Sequence, residues 1–195
     1  MRKLACRLIL VCVGVLFAAC SDVDVGELTT RLGDGDAEIR RNAAKDLENL
    51  GPVSAPAVHA LAKCLSDDSP QVRYRAAKAL SKMGPSAEAA VIELGEALAN
   101  DGSSEVRYYA VKSLDQFAEA AATAIDGLIK GLSDENPQTR YYSTKILGKC
   151  GVEATIALDQ IKAMAEDPDP AVRKAAESAV RRLSKSLPAE QDAKP

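Results

Sequence analysis

The chain has 195 residues, with 25 Lys+Arg against 28 Asp+Glu, a formal charge of −3, one His and no Trp. An acidic chain of this kind is a poor general binder of polyanions, which argues against nucleic acid as a partner. The lone histidine, His59, has no second His or Cys at metal-ligand spacing. There is no Gly-rich phosphate loop, no G-x-S-x-G turn and no Cys–His pairing, so no catalytic residue, metal ligand or cofactor is assigned.

The chain starts with a basic stretch, Arg2, Lys3 and Arg7, followed by an apolar run of 12 residues from Leu8 to Ala19. That run is short for a membrane span and suits a secretory leader. It ends Leu16-Phe17-Ala18-Ala19-Cys20. Small residues directly before a Cys resemble the lipobox of bacterial lipoproteins. The resemblance implies a signal peptide over 1–19, lipidation at Cys20, and a mature N-terminus at 20–21. It also implies a lipoprotein of the cell envelope, membrane-anchored. Ser21 follows the Cys, and this favours the outer membrane where two membranes exist. The alternatives are ordinary secretion or a membrane anchor, and a cytoplasmic chain. Without the leader, 22 Lys+Arg face 28 Asp+Glu, a net charge of −6.

From Asp22 the sequence is periodic. Arg40, Arg73, Arg107, Arg140 and Arg173 recur at intervals of 33 or 34 residues, which is the mark of a repeat array. An Asp stands six residues before each: Asp34, Asp67, Asp101, Asp134 and Asp167. Four residues before each Arg is an N-cap type, Asp36, Ser69, Ser103, Asn136 or Asp169, able to accept a free backbone N–H of the first turn. Pro70, Pro137 and Pro170 take the first helical position, where no N–H is needed.

Small or apolar residues follow each Arg at plus three, seven and ten, for example Ala76, Leu80 and Met83, in helical spacing. Gly51, Gly84 and Gly151 then close the helix. A further apolar helix precedes each turn, carrying Val25/Leu28/Leu32, Val58/Leu61/Leu65, Val91/Leu94/Leu98, Ile125/Leu128/Leu132 and Leu158/Ile161/Ala165. The expected units are about 22–50, 51–83, 84–117, 118–150 and 151–187, with 188–195 a polar tail. Neither helix of a pair buries its stripe alone, so neighbouring pairs must stack.

The signature D-x-x-P-x-V-R-x-x-A-A-x-A-L-x-x-x-G resembles the short HEAT-like repeats of the phycobilisome-lyase type, from Asp22 to about Lys185. It implies an all-α fold, an α-solenoid of five HEAT-like helix pairs over 22–187 (an α/α superhelix), with the second helices lining the concave side. Tetratricopeptide and ankyrin repeats are disfavoured because Trp and a T-P-L-H box are absent. Thr139 replaces the Val of the pattern, and Ala118 and Ser184 replace its closing Gly.

Cys64 and Cys150 are expected as free, buried thiols, since they lie more than two repeats apart in a stacked array. The five Arg sit in first helical turns, where the helix dipole disfavours a cation. Their recurrence therefore predicts a structural ladder to the Asp of the same or the adjacent repeat.

All five tyrosines fall one or two residues after the Arg: Tyr74, Tyr108, Tyr109, Tyr141 and Tyr142. The plus-one position lies opposite the core stripe at about 100° per residue. Plus five is on the same face and holds Lys45, Lys78, Lys112 and Lys145. Two readings stand. The tyrosines cover helix edges while the lysines solvate a face, or Tyr74, Lys78, Tyr108, Lys112, Tyr141 and Lys145 line a groove for a protein or peptide with an acidic segment. The functional expectation is a non-catalytic protein-binding scaffold held at the envelope by its lipid. The alternatives are a HEAT-like enzyme subunit or chromophore/lyase-type accessory protein, and a purely structural envelope protein.

Overall fold

The computed structural model describes residues 24–186. The leader, Cys20 and the tail at 188–195 lie outside the described residues. Asp24 opens the first helix, α1 (Val25–Arg31), by accepting the N–H of Gly26. The others are α2 (Ala37–Leu50), α3 (Val58–Cys64), α4 (Pro70–Lys82), α5 (Val91–Asn100), α6 (Ser104–Leu114), α7 (Ile125–Gly131), α8 (Pro137–Leu147), α9 (Leu158–Ala163) and α10 (Pro170–Ser186). No strand occurs among the described residues. The order gives five pairs, α1/α2 to α9/α10. In each pair the odd-numbered helix packs on its even-numbered partner, and α2, α4, α6, α8 and α10 pack side by side as one layer.

The apolar slots are where the period places them. Ala76, Leu80 and Met83 in α4, and Ala110, Leu114 and Phe117 in and after α6, belong to one continuous buried cluster with Leu61, Leu94, Leu128 and Ile161 of the other layer. Fully burying a side chain of the Leu or Phe class stabilises by about 1.5–3 kcal/mol. Each repeat shares this cluster with its neighbours, so the array is one core. Ala165 departs from the pattern. α9 ends at Ala163, a 3₁₀ turn (Met164–Glu166) follows, Ala165 is exposed and Met164 packs against the core.

The 34-residue interval has a local cause. The extra residue lies in α5, which runs to Asn100 and passes straight into Asp101 in extended conformation. Gly51, Gly84 and Gly151 have φ of 56°, 63° and 72°, which an L side chain rarely adopts. Ala118 stands in the same slot with φ −57°, so the third corner turns instead through short 3₁₀ segments, Asp115–Phe117 and Ala120–Ala124. At the other corners a 3₁₀ stretch (Gly51–Ala57, Gly84–Ala90, Gly151–Ala157) joins the even helix to the next odd one. No repeat pattern announced these stretches. Four of the five expected caps form, at Asp36, Ser103, Asn136 and Asp169. Ser69 accepts no cap bond, and its hydroxyl donates to Gln71 Oε1.

Cys64 and Cys150 are free and buried. Burial first, with Asp67 and Glu153 nearby, pushes both thiols up to about 11. They are therefore thiols, not nucleophilic thiolates, at neutral pH.

Two local packing features stand out, one within the odd-helix layer and one in the fourth repeat. A Cβ on Gly95 would stand 2.7 Å from that of Ala124, and one on Gly127 would run into the Gly95 carbonyl, so α5 and α7 cross backbone to backbone. In the fourth repeat the hydroxyls of Thr139 and Ser143 are buried without a partner. Gly127→Ala should lower the urea unfolding free energy by about 1–3 kcal/mol through overpacking. Thr139→Val, which removes an orphan hydroxyl at nearly constant volume, should raise it by about 1 kcal/mol. Equal stabilities of the two variants would contradict this packing.

Candidate functional site

The turns before the even helices carry the most regular polar structure of the molecule. Arg40 reaches across to the next repeat, with Nε 2.7 Å and Nη2 2.8 Å from the two carboxylate oxygens of Asp67. Arg73 does the same to Asp101 at 2.7 and 3.3 Å, and Arg140 to Asp167 at 2.7 and 2.9 Å. Arg107 holds Asp134 through Nε at 2.5 Å and adds Glu135 at 3.1 Å. The Asp six residues earlier in the same repeat serves differently, by offering its backbone carbonyl to Nη1 at 2.8–2.9 Å in all five copies.

Each Asp carboxylate also accepts the N–H two residues on, as Ser69 N does to Asp67 at 2.9 Å and Asp169 N to Asp167 at 2.8 Å. One Asp thus fixes its own turn and receives the guanidinium of the repeat before. Asp34 and Arg173 are the ladder's ends within the described residues: the Asp34 carboxylate receives no guanidinium and Arg173 reaches no carboxylate. Arg40 and Arg140 donate to Asp67 and Asp167 and hold these carboxyls below their ordinary value of 3.8, with the Ser69 and Asp169 N–H groups adding to the effect.

The opposite face of the even-helix layer carries the tyrosines. They form one chain of rings across three repeats: Tyr74 to Tyr109 at 5.6 Å between centroids, Tyr109 to Tyr108 at 5.1 Å, Tyr108 to Tyr142 at 6.3 Å and Tyr142 to Tyr141 at 5.2 Å. Most meet edge to face, the geometry the ring quadrupole favours. Tyr74 at plus one and Tyr109 and Tyr142 at plus two pack against the core, so these three seal the layer as well as line it. The side chains are half-buried, less open than a position opposite the core stripe suggests.

Lysine ammonium groups lie over these rings. Lys78 is 5.7 and 5.8 Å from the centroids of Tyr74 and Tyr109, Lys112 is 5.6 and 5.9 Å from those of Tyr108 and Tyr109, and Lys145 is 5.5 Å from that of Tyr142. Cation–π contacts of this kind are worth about 0.5–1 kcal/mol at exposed sites.

The structure separates the three lysines. Lys78 is paired with Glu48 at 3.0 Å, which also takes Arg75 at 3.0 Å. Lys145 is paired with Asp115 at 2.7 Å, which takes Lys149 at 3.3 Å. Hydrogen bonding to Glu48 raises the Lys78 pKa, whereas for Lys145 burial is outweighed by Asp115 and two tyrosines. Lys112 alone of the three forms no ion pair among the described residues. The acids Glu48 and Asp115 belong to this face, and the plus-five reading missed them. Their signal was an acid at plus eight in the first and third repeats, one repeat before each lysine.

These pairs do not exhaust the positive charge. At positions minus two and plus one, two, five, eight and nine of the five repeats there are eleven Lys or Arg and four acids, Glu38, Glu48, Glu105 and Asp115, in a chain whose total is −3. The cations are gathered on one face while acids dominate elsewhere. Among the described residues no cluster of His, Cys, Asp and Glu is arranged to hold a metal ion, and no helix is long and apolar enough to cross a membrane. His59 lies exposed on α3.

The ladder predicts a stability loss. Arg107→Ala leaves Asp134, whose side chain is 4 % exposed, without its cation. It should cost about 3 kcal/mol in urea unfolding, with little recovery in Arg107→Lys because a point charge cannot make the forked bond. The depressed carboxyls stabilise fully above their unfolded value, and this contribution is lost as pH falls through the lower folded one. Stability should therefore be flat from pH 7 to about 5 and fall below about 4. An unchanged midpoint in Arg107→Ala would contradict the ladder.

The HEAT-repeat family matches residues 25–115 and 91–181. None of the curated proteins compared is similar to the chain. An engineered protein superposes with a TM-score of 0.68 at 22 % identity, over 83 % of this chain and 79 % of that one. A designed armadillo repeat protein in complex with the peptide (KR)4 superposes with 0.68 at 19 % identity, over 80 % of each chain. The complex of CpcE and CpcF of phycocyanin lyase from Nostoc sp. PCC7120 contains a chain that matches with 0.65 at 27 % identity, over 84 % of this chain and 66 % of its own. The first two likenesses speak to fold alone. With the ladder, the paired helices and the match over 25–181, the chain belongs to the HEAT-repeat family.

Proposed function

We propose that this protein is a non-catalytic binding scaffold, lipid-anchored through Cys20 at the bacterial cell envelope, which holds a protein or peptide with an acidic segment along the concave face of its even helices. The observation that carries this reading is the excess of cations on that face of an otherwise acidic chain, eleven against four at the six positions that share it. Rigid tyrosines offer contact area with polar tips, and uncompensated cations select an acidic partner and speed its approach. Lys112 is the central residue of this surface, since it lies over two rings and forms no ion pair among the described residues. Peptide binding by a repeat neighbour supports the mode of use. The peptide there is basic, so the charge preference proposed here rests on this chain's own residues.

A second reading draws on the lyase neighbour, which is a complex of two chains. In that reading the protein is an accessory subunit of a lyase-type assembly, and purified material would carry a chromophore absorbance. A purely structural envelope protein would instead capture no specific partner.

The test is fluorescence anisotropy with labelled hexaglutamate at low ionic strength. The unaltered protein should bind, and Lys112→Glu should weaken binding about tenfold or more while the chain stays folded, its melting temperature falling only by what the two lost ring contacts account for. Equal affinity would overturn the acidic-partner reading. For the anchor, the intact mass of membrane-purified protein should correspond to a chain starting at Cys20 with added acyl mass. Cys20→Ser should leave the chain without that mass and release it from membranes. An unmodified Cys20 would contradict the anchor.

A further inference from the structure

The chain of rings ends in the fourth repeat, and beyond it the stripe has a hole. In α10 the plus-two position is Ala175 and the plus-five position is Ser178, where α8 has Tyr142 and Lys145. The missing bulk leaves a cleft of about 360 Å³ between α8 and α10. Tyr141 forms one wall, small side chains form the floor, and four cations surround it: Lys145, Lys149, Lys174 and Arg182.

Their charge is poorly compensated. Lys145 and Lys149 share the single carboxylate of Asp115, at 2.7 and 3.3 Å. Lys174 and Arg182 are exposed and form no ion pair among the described residues. Four cations around a concave space with one acid between them focus a positive potential that a flat face would not. The volume is at the lower end of ligand pockets, about 300–1,000 Å³, which fits side chains and excludes a folded element.

We propose that this cleft is the anchor of the binding face, taking a pair of adjacent carboxylate side chains of the acidic peptide. The inference rests on the acidic-partner reading above and adds the place where the partner is held. The carboxylates meet Lys174 and Arg182, and the aliphatic stems lie over Ala175 against the Tyr141 ring. The remaining length of the peptide follows the rings toward Lys112.

The experiment measures hexaglutamate affinity for four variants at one ionic strength. Lys174→Ala/Arg182→Ala removes two cations of the cleft. Ala175→Tyr fills the cleft with the side chain that α6 and α8 carry at this position, and removes no charge. Both should weaken binding about tenfold or more, and Ala175→Tyr should do so without lowering the melting temperature. Lys63→Ala/Lys162→Ala, which takes two charges from the other helix layer, should leave affinity within twofold, and inorganic phosphate should compete with the peptide. If Ala175→Tyr and Lys174→Ala/Arg182→Ala bind as the unaltered protein does while Lys112→Glu does not, the anchor is refuted and the acidic-partner reading stands. If both two-charge variants weaken binding equally and Ala175→Tyr is silent, only bulk charge acts and the cleft is again refuted. If the unaltered protein does not bind hexaglutamate, both readings fall.

Discussion

The interaction on which this structure depends is the forked bond from an Arg in one repeat to an Asp in the next. Neither helix of a pair can bury its apolar stripe alone, so the array stands only if neighbouring repeats hold a fixed distance and rotation. The Asp carboxylate supplies that constraint. It ties its own turn through the N–H two residues on and receives the Arg of the previous repeat, as at Asp167 with Asp169 and Arg140. The cation sits in a first helical turn against the dipole, and its partners are the carboxylate ahead and the carbonyl behind. A bond of this type costs desolvation of two charges, so its value lies in geometry as much as in energy. It sets the turns that position each even helix.

The Tyr–Lys face is a consequence of that register. With the even helices packed side by side, the plus-one and plus-two tyrosines of adjacent repeats meet edge to face and form a single surface. The same register brings Glu48 to Lys78 and Asp115 to Lys145, and so decides which lysines are already neutralised. Lys112, Lys174 and Arg182 form no ion pair among the described residues, and Lys112 meets only the Tyr108 and Tyr109 rings.

Most of the fold was legible because it repeats. Arg at 33- or 34-residue intervals, caps four residues earlier and apolar slots at plus three, seven and ten each have one structural meaning, stated five times. What was not legible occurs once. Ser69 has a cap's identity, but Gln71 engages its hydroxyl. Ala165 fits the period, yet α9 ends too early to bury it. Gly95 and Gly127 sit mid-helix with no turn to make, and only the crossing of α5 and α7 explains them. The site was half legible. The stripe of Tyr and Lys could be read from spacing, but its neutralising acids sit one repeat away in sequence. The cleft is written as an absence, small residues where the pattern has large ones, and it acquires a shape only when α10 is laid against α8.

The account's central claim is that the even-helix face is where an acidic partner is held, and lysine footprinting tests it most directly. The protein would be treated with an amine-reactive reagent with and without hexaglutamate, and modification at each lysine read by mass spectrometry. The account predicts protection of Lys112, Lys145 and Lys174, with Lys63 and Lys162 of the odd helices labelled equally in both samples. Protection of Lys63 and Lys162 instead, or of no lysine at a concentration where the peptide is bound, would contradict it.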